Sequence, residues 1–187
     1  MAQSQIDTDA FADSQIQSKL WLCERLERLV GLQPFRIAVY GGWYGIASLL
    51  LLSRQKAQIE WIRSYDIDPA ATAVANLLLN RWEMEKWKFR AITGDVNWII
   101  PDTEPVPNLI INTSTEHMTM PWWDMIPRNT VVAIQGTNQI APDHHNPCDS
   151  LEVFKARYGM NLILYEGVHR FDYPDRSFKR FMLIGHK

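Results

Sequence analysis

Apolar positions along the chain fall into short runs separated by polar or glycine-rich punctuation, and their period changes from helical to extended and back. From Ser14 to Val30, residues Ile16, Leu20, Trp21, Cys23, Leu26, Leu29 and Val30 recur at helical spacing with Gly31 as a stop, which predicts an amphipathic helix. The stretch Arg36–Tyr40 then reads as a buried strand, Gly41-Gly42-Trp43-Tyr44-Gly45 as a tight turn, and Ile46–Leu50 as the start of a helix. A second strand, Trp61–Asp66, ends in an acid. Asp68-Pro69 predicts a capped helix start, with proline at the first helical position and an apolar run to Leu79 behind it. Lys88–Thr93, Asn108–Asn112 and Thr130–Gly136 read as three further strands, the middle one apolar as a strand covered on both faces should be.

Five strands alternating with helices predict a parallel, doubly wound α/β sheet. The rhythm then changes. After a short helix over Ser150–Tyr158, the runs Leu162–Gly167 and Phe178–Gly185 flank a polar Asp172–Arg176 turn and should pair antiparallel. The expected fold is a mostly parallel seven-stranded sheet closed by a C-terminal antiparallel hairpin. Absence of repeats, low-complexity tracts and long linkers predicts one domain over residues 1–187, with residues 1–32 as a tail and helix.

Composition narrows the class without naming a function. The 187 residues are 47% hydrophobic and 21% charged with a formal net charge of -2, so no electrostatic bias favours nucleic acid or anionic membranes. Cys23 and Cys148 are the only cysteines, which predicts reduced thiols and a cytoplasmic location. Residues Met1–Ser14 are polar and acidic, unlike a secretory leader, and no apolar run reaches membrane-spanning length.

The chemistry concentrates where the predicted strands end. A glycine-rich turn after a first strand lets backbone approach a nucleotide-like ligand, and an acid ending the second strand is placed to accept from ribose hydroxyls. Order and motifs together resemble the class I S-adenosylmethionine (SAM)-dependent methyltransferases, from roughly Gln33 to Lys187. The resemblance implies SAM as cofactor and a cofactor set of Tyr40, Gly41, Gly42, Trp43, Gly45, Asp66, Ile67, Asp95 and Val96. Gly41 and Gly45 take the outer glycine positions, Trp43 replaces the middle glycine, and Val39 stands where the family carries an acid. Asp66 would accept from the ribose, Asp95 from the adenine amino group, and the Val96 amide would face the ring.

The fourth strand ends in Asn112-Thr113-Ser114-Thr115-Glu116-His117, which in the family faces the methyl group being transferred. Asn112, Glu116 and His117 are therefore the catalytic candidates. An imidazole is suited to removing an acceptor proton, and Glu116 would orient it or the acceptor. Amino-group methylases of nucleic acids carry an Asp/Asn-Pro-Pro-aromatic motif there, of which Asn112 keeps only the first letter, so a base-methylating role is not expected; the small size of the chain predicts a small-molecule acceptor, or a partner that supplies recognition.

Several residues carry two readings. Asp68 suits a helix cap better than a ribose ligand. Glu116 and His117 read equally as caps of the following segment. Asp143-His144-His145-Asn146-Pro147-Cys148 contains zinc-ligand chemistry, but adjacent histidines do not converge easily, so no metal is expected and the segment reads as a substrate-covering loop. Trp122-Trp123 reads as packing or as an acceptor wall. Arg170, Arg176, Lys179 and Arg180, interleaved with Asp172 and Asp175, read as a self-neutralised turn. A SAM-dependent aminocarboxypropyl transferase and a non-catalytic binding module are the alternative functions. A nicotinamide dehydrogenase is disfavoured by the lack of a Gly-x-Gly-x-x-Gly turn.

Overall fold

Alternation along the central strands sends side chains to two opposite cores. In this computed structural model, which describes residues 6–29, 34–84, 87–98 and 106–187, strand β1 (Phe35–Tyr40) sends Ile37 and Val39 to one face and Ala38 and Tyr40 to the other. Strand β4 (Leu109–Asn112) repeats the division, with Leu109 and Ile111 on the first face and Ile110 on the second. Both faces being covered explains why these runs are apolar throughout.

Helix α1 (Asp13–Leu29) and helix α2 (Ile46–Arg54) cover the first face together with α3 (Pro69–Leu78). Arg54 joins α2 to α1 through a forked pair with Glu27, its Nε and Nη2 donating across 2.6 and 2.9 Å. The buried stripe of α1 runs through Ser18, Lys19, Leu22, Cys23 and Leu26, while Ile16 and Leu20 are only half-buried. The expected stripe was thus rotated, because the helix packs two polar residues against the sheet. Val30 and the Gly31 stop lie outside the described residues.

The sheet has seven strands in the order β3-β2-β1-β4-β5-β7-β6, with β2 (Ile59–Asp66), β3 (Phe89–Thr93) and β5 (Val131–Thr137) parallel to β1 and β4. β6 (Leu162–Asp172) and β7 (Ser177–His186) form the antiparallel hairpin, with β7 paired to both β5 and β6. All seven expected strands are present, and β6 runs five residues beyond Gly167 to Asp172. Two short helices complete the second face: α5 (Pro121–Met125), which the sequence reading missed, and α6 (Leu151–Arg157), capped by Ser150. Between α3 and β3 lies the further short helix α4 (Asn80–Met84).

The polar readings divide. Asp68 caps α3 as expected, its Oδ1 accepting from the Ala70 amide at 2.8 Å. Trp122 and Trp123 are buried against Tyr158, so they are packing and not an acceptor wall. Arg170 and Asp172 pair across 2.7 Å in the self-neutralised turn. Arg180 departs from that group: β7 is an interior strand, and its guanidinium points into the molecule. Among the described residues, no helix is long and apolar enough to cross a membrane.

Candidate active site

Strand order reverses between β1 and β4, and ligand crevices in open α/β sheets form beyond the carboxyl ends of the strands at such a point. A cleft of about 500 Å³ lies there. Its walls come from five places: the loop after β1, the ends of β2 and β3, the segment after β4, Asp143 of the β5–α6 loop, and the N-terminal segment.

The β1 loop is held close to β2. A Cβ on Gly42 would meet Ser64 Oγ at 1.8 Å, so any larger residue there must displace the Ser64 side chain. Gly45 has φ +75° and caps α2, and its own Cβ would press on Leu79 and Ala75 at 3.1 and 3.2 Å. Trp43 adopts the left-handed region at φ +47° and stacks its ring on Tyr44 at 4.9 Å. The indole lines the cleft rather than filling it.

Asp66 organises this loop. Its Oδ2 accepts from the Trp43 amide at 2.7 Å and its Oδ1 from the Asp68 amide at 3.0 Å. A carboxylate has about four lone-pair sites, so acceptor capacity remains toward the cleft. Asp95 is built alike: its Oδ1 accepts from the backbone and side-chain nitrogens of Asn97, at 2.8 and 2.9 Å. Its other oxygen takes no hydrogen bond from the described residues. Ile67, 72% exposed, gives the rim an apolar side chain, and Val96 is buried below it.

After β4, a 3-10 turn over Thr115–His117 carries Glu116 and His117 into the cleft wall. Glu116 is buried, and its Oε1 accepts from Arg180 Nη1 at 2.9 Å. Its backbone carbonyl accepts from the amides of His145 and Asn146 at 2.8 and 2.9 Å, clamping the β5–α6 loop onto the turn. His117 is oriented by Asp143, whose carbonyl oxygen and Oδ2 lie 3.1 and 3.2 Å from its Nδ1. Glu116 therefore does not orient His117; Asp143 does. Cys148, at the end of the same segment, is buried with its amide on the Thr137 carbonyl.

Nine of the twelve expected residues lie on the cleft: Gly41, Gly42, Trp43, Asp66, Ile67, Asp95, Val96, Glu116 and His117. Tyr40, Gly45 and Asn112 do not. Tyr40 sits in the second core edge-on to Tyr65 and Trp122, and burial raises its hydroxyl's pKa. Asn112 is fully buried and shapes the turn, accepting at Oδ1 from the Ser114 amide at 2.9 Å.

Asp7, Asp9, Gln15 and Lys19 also line the cleft and escaped the sequence reading, which looked for ligands at strand ends. The Asp7 amide donates to Tyr44 Oη at 3.1 Å, fixing the N-terminal segment on the β1 loop. Lys19 Nζ donates to Gln15 Oε1 at 2.6 Å, and burial, aided by Arg180, lowers its pKa to about 7. One signal was available: Gln15 and Lys19 continue the Leu22–Cys23–Leu26 stripe upstream, and charge in a buried stripe marks a polar environment inside.

No protein-family model and no curated protein sequence matches the chain. Solved structures do match in fold. Magnesium protoporphyrin IX methyltransferase from Synechocystis PCC 6803 with bound SAH superposes with a TM-score of 0.66 at 9% identity, covering 98% of this chain and 90% of that one. N-methyltransferase NodS from Bradyrhizobium japonicum WM9, in complex with S-adenosyl-L-homocysteine (SAH), gives 0.69 at 13% identity over 97% of this chain and 93% of that one. With its strand order and interior last strand, the chain has the fold of class I SAM-dependent methyltransferases.

Proposed function

We propose that the chain is a SAM-dependent methyltransferase acting on a small-molecule acceptor. One observation carries this reading: the Gly41–Trp43 loop, Asp66 with Ile67, and Asp95 with Val96 converge on a single cleft at the switch point. The residues fit the cofactor. Gly42 permits backbone approach, Asp66 keeps lone pairs for ribose hydroxyls, Asp95 keeps one oxygen for the adenine amino group, and Val96 and Ile67 offer apolar contact.

SAM supplies a methyl group activated by a positively charged sulfur. The acids Asp7, Asp9, Asp66, Asp95, Glu116 and Asp143 outnumber the basic side chains on the cleft and favour such a cation. Val39 occupies the place of the family's first-strand acid, and in this reading Asp7 and Asp9 take over its charge. Methyl transfer is an in-line displacement, so alignment of acceptor and donor supplies most of the rate. His117, with its Nδ1 on Asp143, is the base that takes an acceptor proton. Asn112 acts as a positioning residue through the Ser114 turn. The reading treats residues 1–187 as one methyltransferase-like unit in the cytoplasm, in keeping with two free, buried cysteines.

Titration calorimetry with SAM and with SAH tests this. Binding of both is expected, and no heat at millimolar ligand overturns the reading. Mass analysis of products then separates methyl transfer, which leaves SAH, from aminocarboxypropyl transfer, which leaves methylthioadenosine.

A further inference from the structure

Folding brings together three metal-competent side chains that are dispersed in sequence. One donor atom from each of Glu116, His117 and His144 lies within 4.8 Å of the others. The two imidazoles meet edge to face, with ring centroids 4.7 Å apart. The cluster joins the turn after β4 to the β5–α6 loop, which the two amide bonds to the Glu116 carbonyl and a bond from Asn146 Nδ2 to the Met118 carbonyl hold together.

Each member is prepared as a ligand by a partner behind it. His144 Nδ1 lies 2.7 Å from the Gln139 carbonyl, and His117 Nδ1 3.1 Å from the Asp143 carbonyl. Carbonyl oxygens accept only, so Nδ1 is the donor in each ring and the neutral imidazole has its Nε2 lone pair free, the arrangement typical of metal-ligating histidines. Glu116 is 2% exposed; Arg180 occupies its Oε1, while its Oε2 is buried with no hydrogen-bond partner. A buried carboxylate oxygen without a partner is rare and calls for a positively charged or proton-bearing neighbour.

We propose that Glu116 Oε2 with Nε2 of His117 and His144 binds a divalent transition-metal ion at the rim of the cleft. Two imidazoles and one carboxylate suit Zn²⁺, Co²⁺, Mn²⁺ or Fe²⁺ better than Mg²⁺ or Ca²⁺, which prefer all-oxygen sets. Tetrahedral ligand contacts of about 2.1 Å set donors about 3.4 Å apart, so the three side chains draw in from separations of up to 4.8 Å. Three protein ligands leave coordination positions open, and Glu116 and His117 face the cleft. Resting on the methyltransferase reading, those positions take an acceptor hydroxyl, and with the ion bound His117 is a ligand in place of the base. Bound there, the hydroxyl releases its proton to water; an oxygen lone pair then forms the bond to the methyl carbon as the carbon–sulfur bond breaks, its electron pair staying on sulfur. The metal undergoes no change of oxidation state.

The test titrates Co²⁺ alone into the untagged, chelator-treated full chain, followed by visible absorption and calorimetry. One equivalent is expected, with affinity lowered at least about tenfold in His117→Ala and in His144→Ala. The exposed neighbour His145 is the control, and His145→Ala should bind as the parent does. Absence of Co²⁺ binding, or equal binding by all three variants, overturns the proposal. Both tested histidines are partly exposed and carry no core packing, so their loss leaves the fold intact, unlike a change at Glu116. SAM is titrated separately: SAM binding without Co²⁺ binding overturns the metal site alone, while Co²⁺ binding without SAM binding supports the metal site and overturns the methyltransferase reading.

Discussion

Arg180 Nη1 on β7 donates to Glu116 Oε1 after β4 across 2.9 Å, with the two side chains only 4% and 2% exposed. This pair links the hairpin to the wall of the cleft. Arg180 also lies 3.3 Å from the Thr113 carbonyl, so one guanidinium holds the turn that carries Glu116 and His117.

Breaking a buried pair on one side leaves an uncompensated charge inside. Arg180→Met should therefore destabilise the fold by about 3 kcal/mol or more, read from urea unfolding. The double variant Glu116→Leu/Arg180→Met should lose less than Arg180→Met alone, since it removes both charges. A double variant weaker than the single would contradict this account.

The two acids near the end of β2 should separate by measurement. Asp68→Ala should cost about 1 kcal/mol of stability through loss of the α3 cap, with SAM affinity unchanged. Asp66→Ala should weaken SAM binding at least about tenfold, since hydrogen bonds to a charged group are lost and the Trp43 amide is released. Equal calorimetric affinities for the two variants would remove Asp66 from the ribose site.

Lys19 makes stability depend on pH. Its pKa is lowered from 10.5 to about 7 in the folded state, chiefly by burial and next by Arg180. Between those values the unfolded chain binds more protons, so this residue's contribution raises stability as pH rises from about 7 to 10.5. At and below pH 7 its burial carries the full penalty. Lys19→Met should accordingly stabilise the protein most near neutral pH, the gain shrinking toward pH 10. Unfolding midpoints of both proteins over that range check the sign; parallel curves would refute it.

Gly42 is constrained by Ser64. An added Cβ would sit 1.8 Å from Ser64 Oγ and 3.2 Å from its Cβ, so Gly42→Ala should cost about 1–3 kcal/mol as an overpacking change. Pairing it with Ser64→Ala should recover part of the loss in melting temperature. No recovery would place the strain elsewhere in the loop.

Strand pattern and strand-end chemistry were legible because each depends on short-range rules. Continuous apolar runs marked β1 and β4, Asp68-Pro69 marked the start of α3, and acids at the ends of β2 and β3 marked the cleft. What stayed hidden depends on distant packing. His117 meets His144 only after β5 pairs with β4, and Lys19 reaches the cleft only because α1 lies across the sheet, fastened by Gln135 Nε2 to the Ser18 carbonyl at 2.8 Å. Arg180 resembled a surface charge because it stands with Arg170, Arg176 and Lys179, which are exposed, and only the strand order puts it inside.

That β7 separates β5 from β6 bears on how the sheet is assembled. The β6–β7 hairpin is formed by neighbours in sequence and covers the edge of β5, which without it would be an open template for other chains. A slip of one residue in that pairing would turn Arg180 to the opposite face and strand Glu116 without its counter-ion. The buried ion pair is thus satisfied in the native register, the alignment that also completes the cleft.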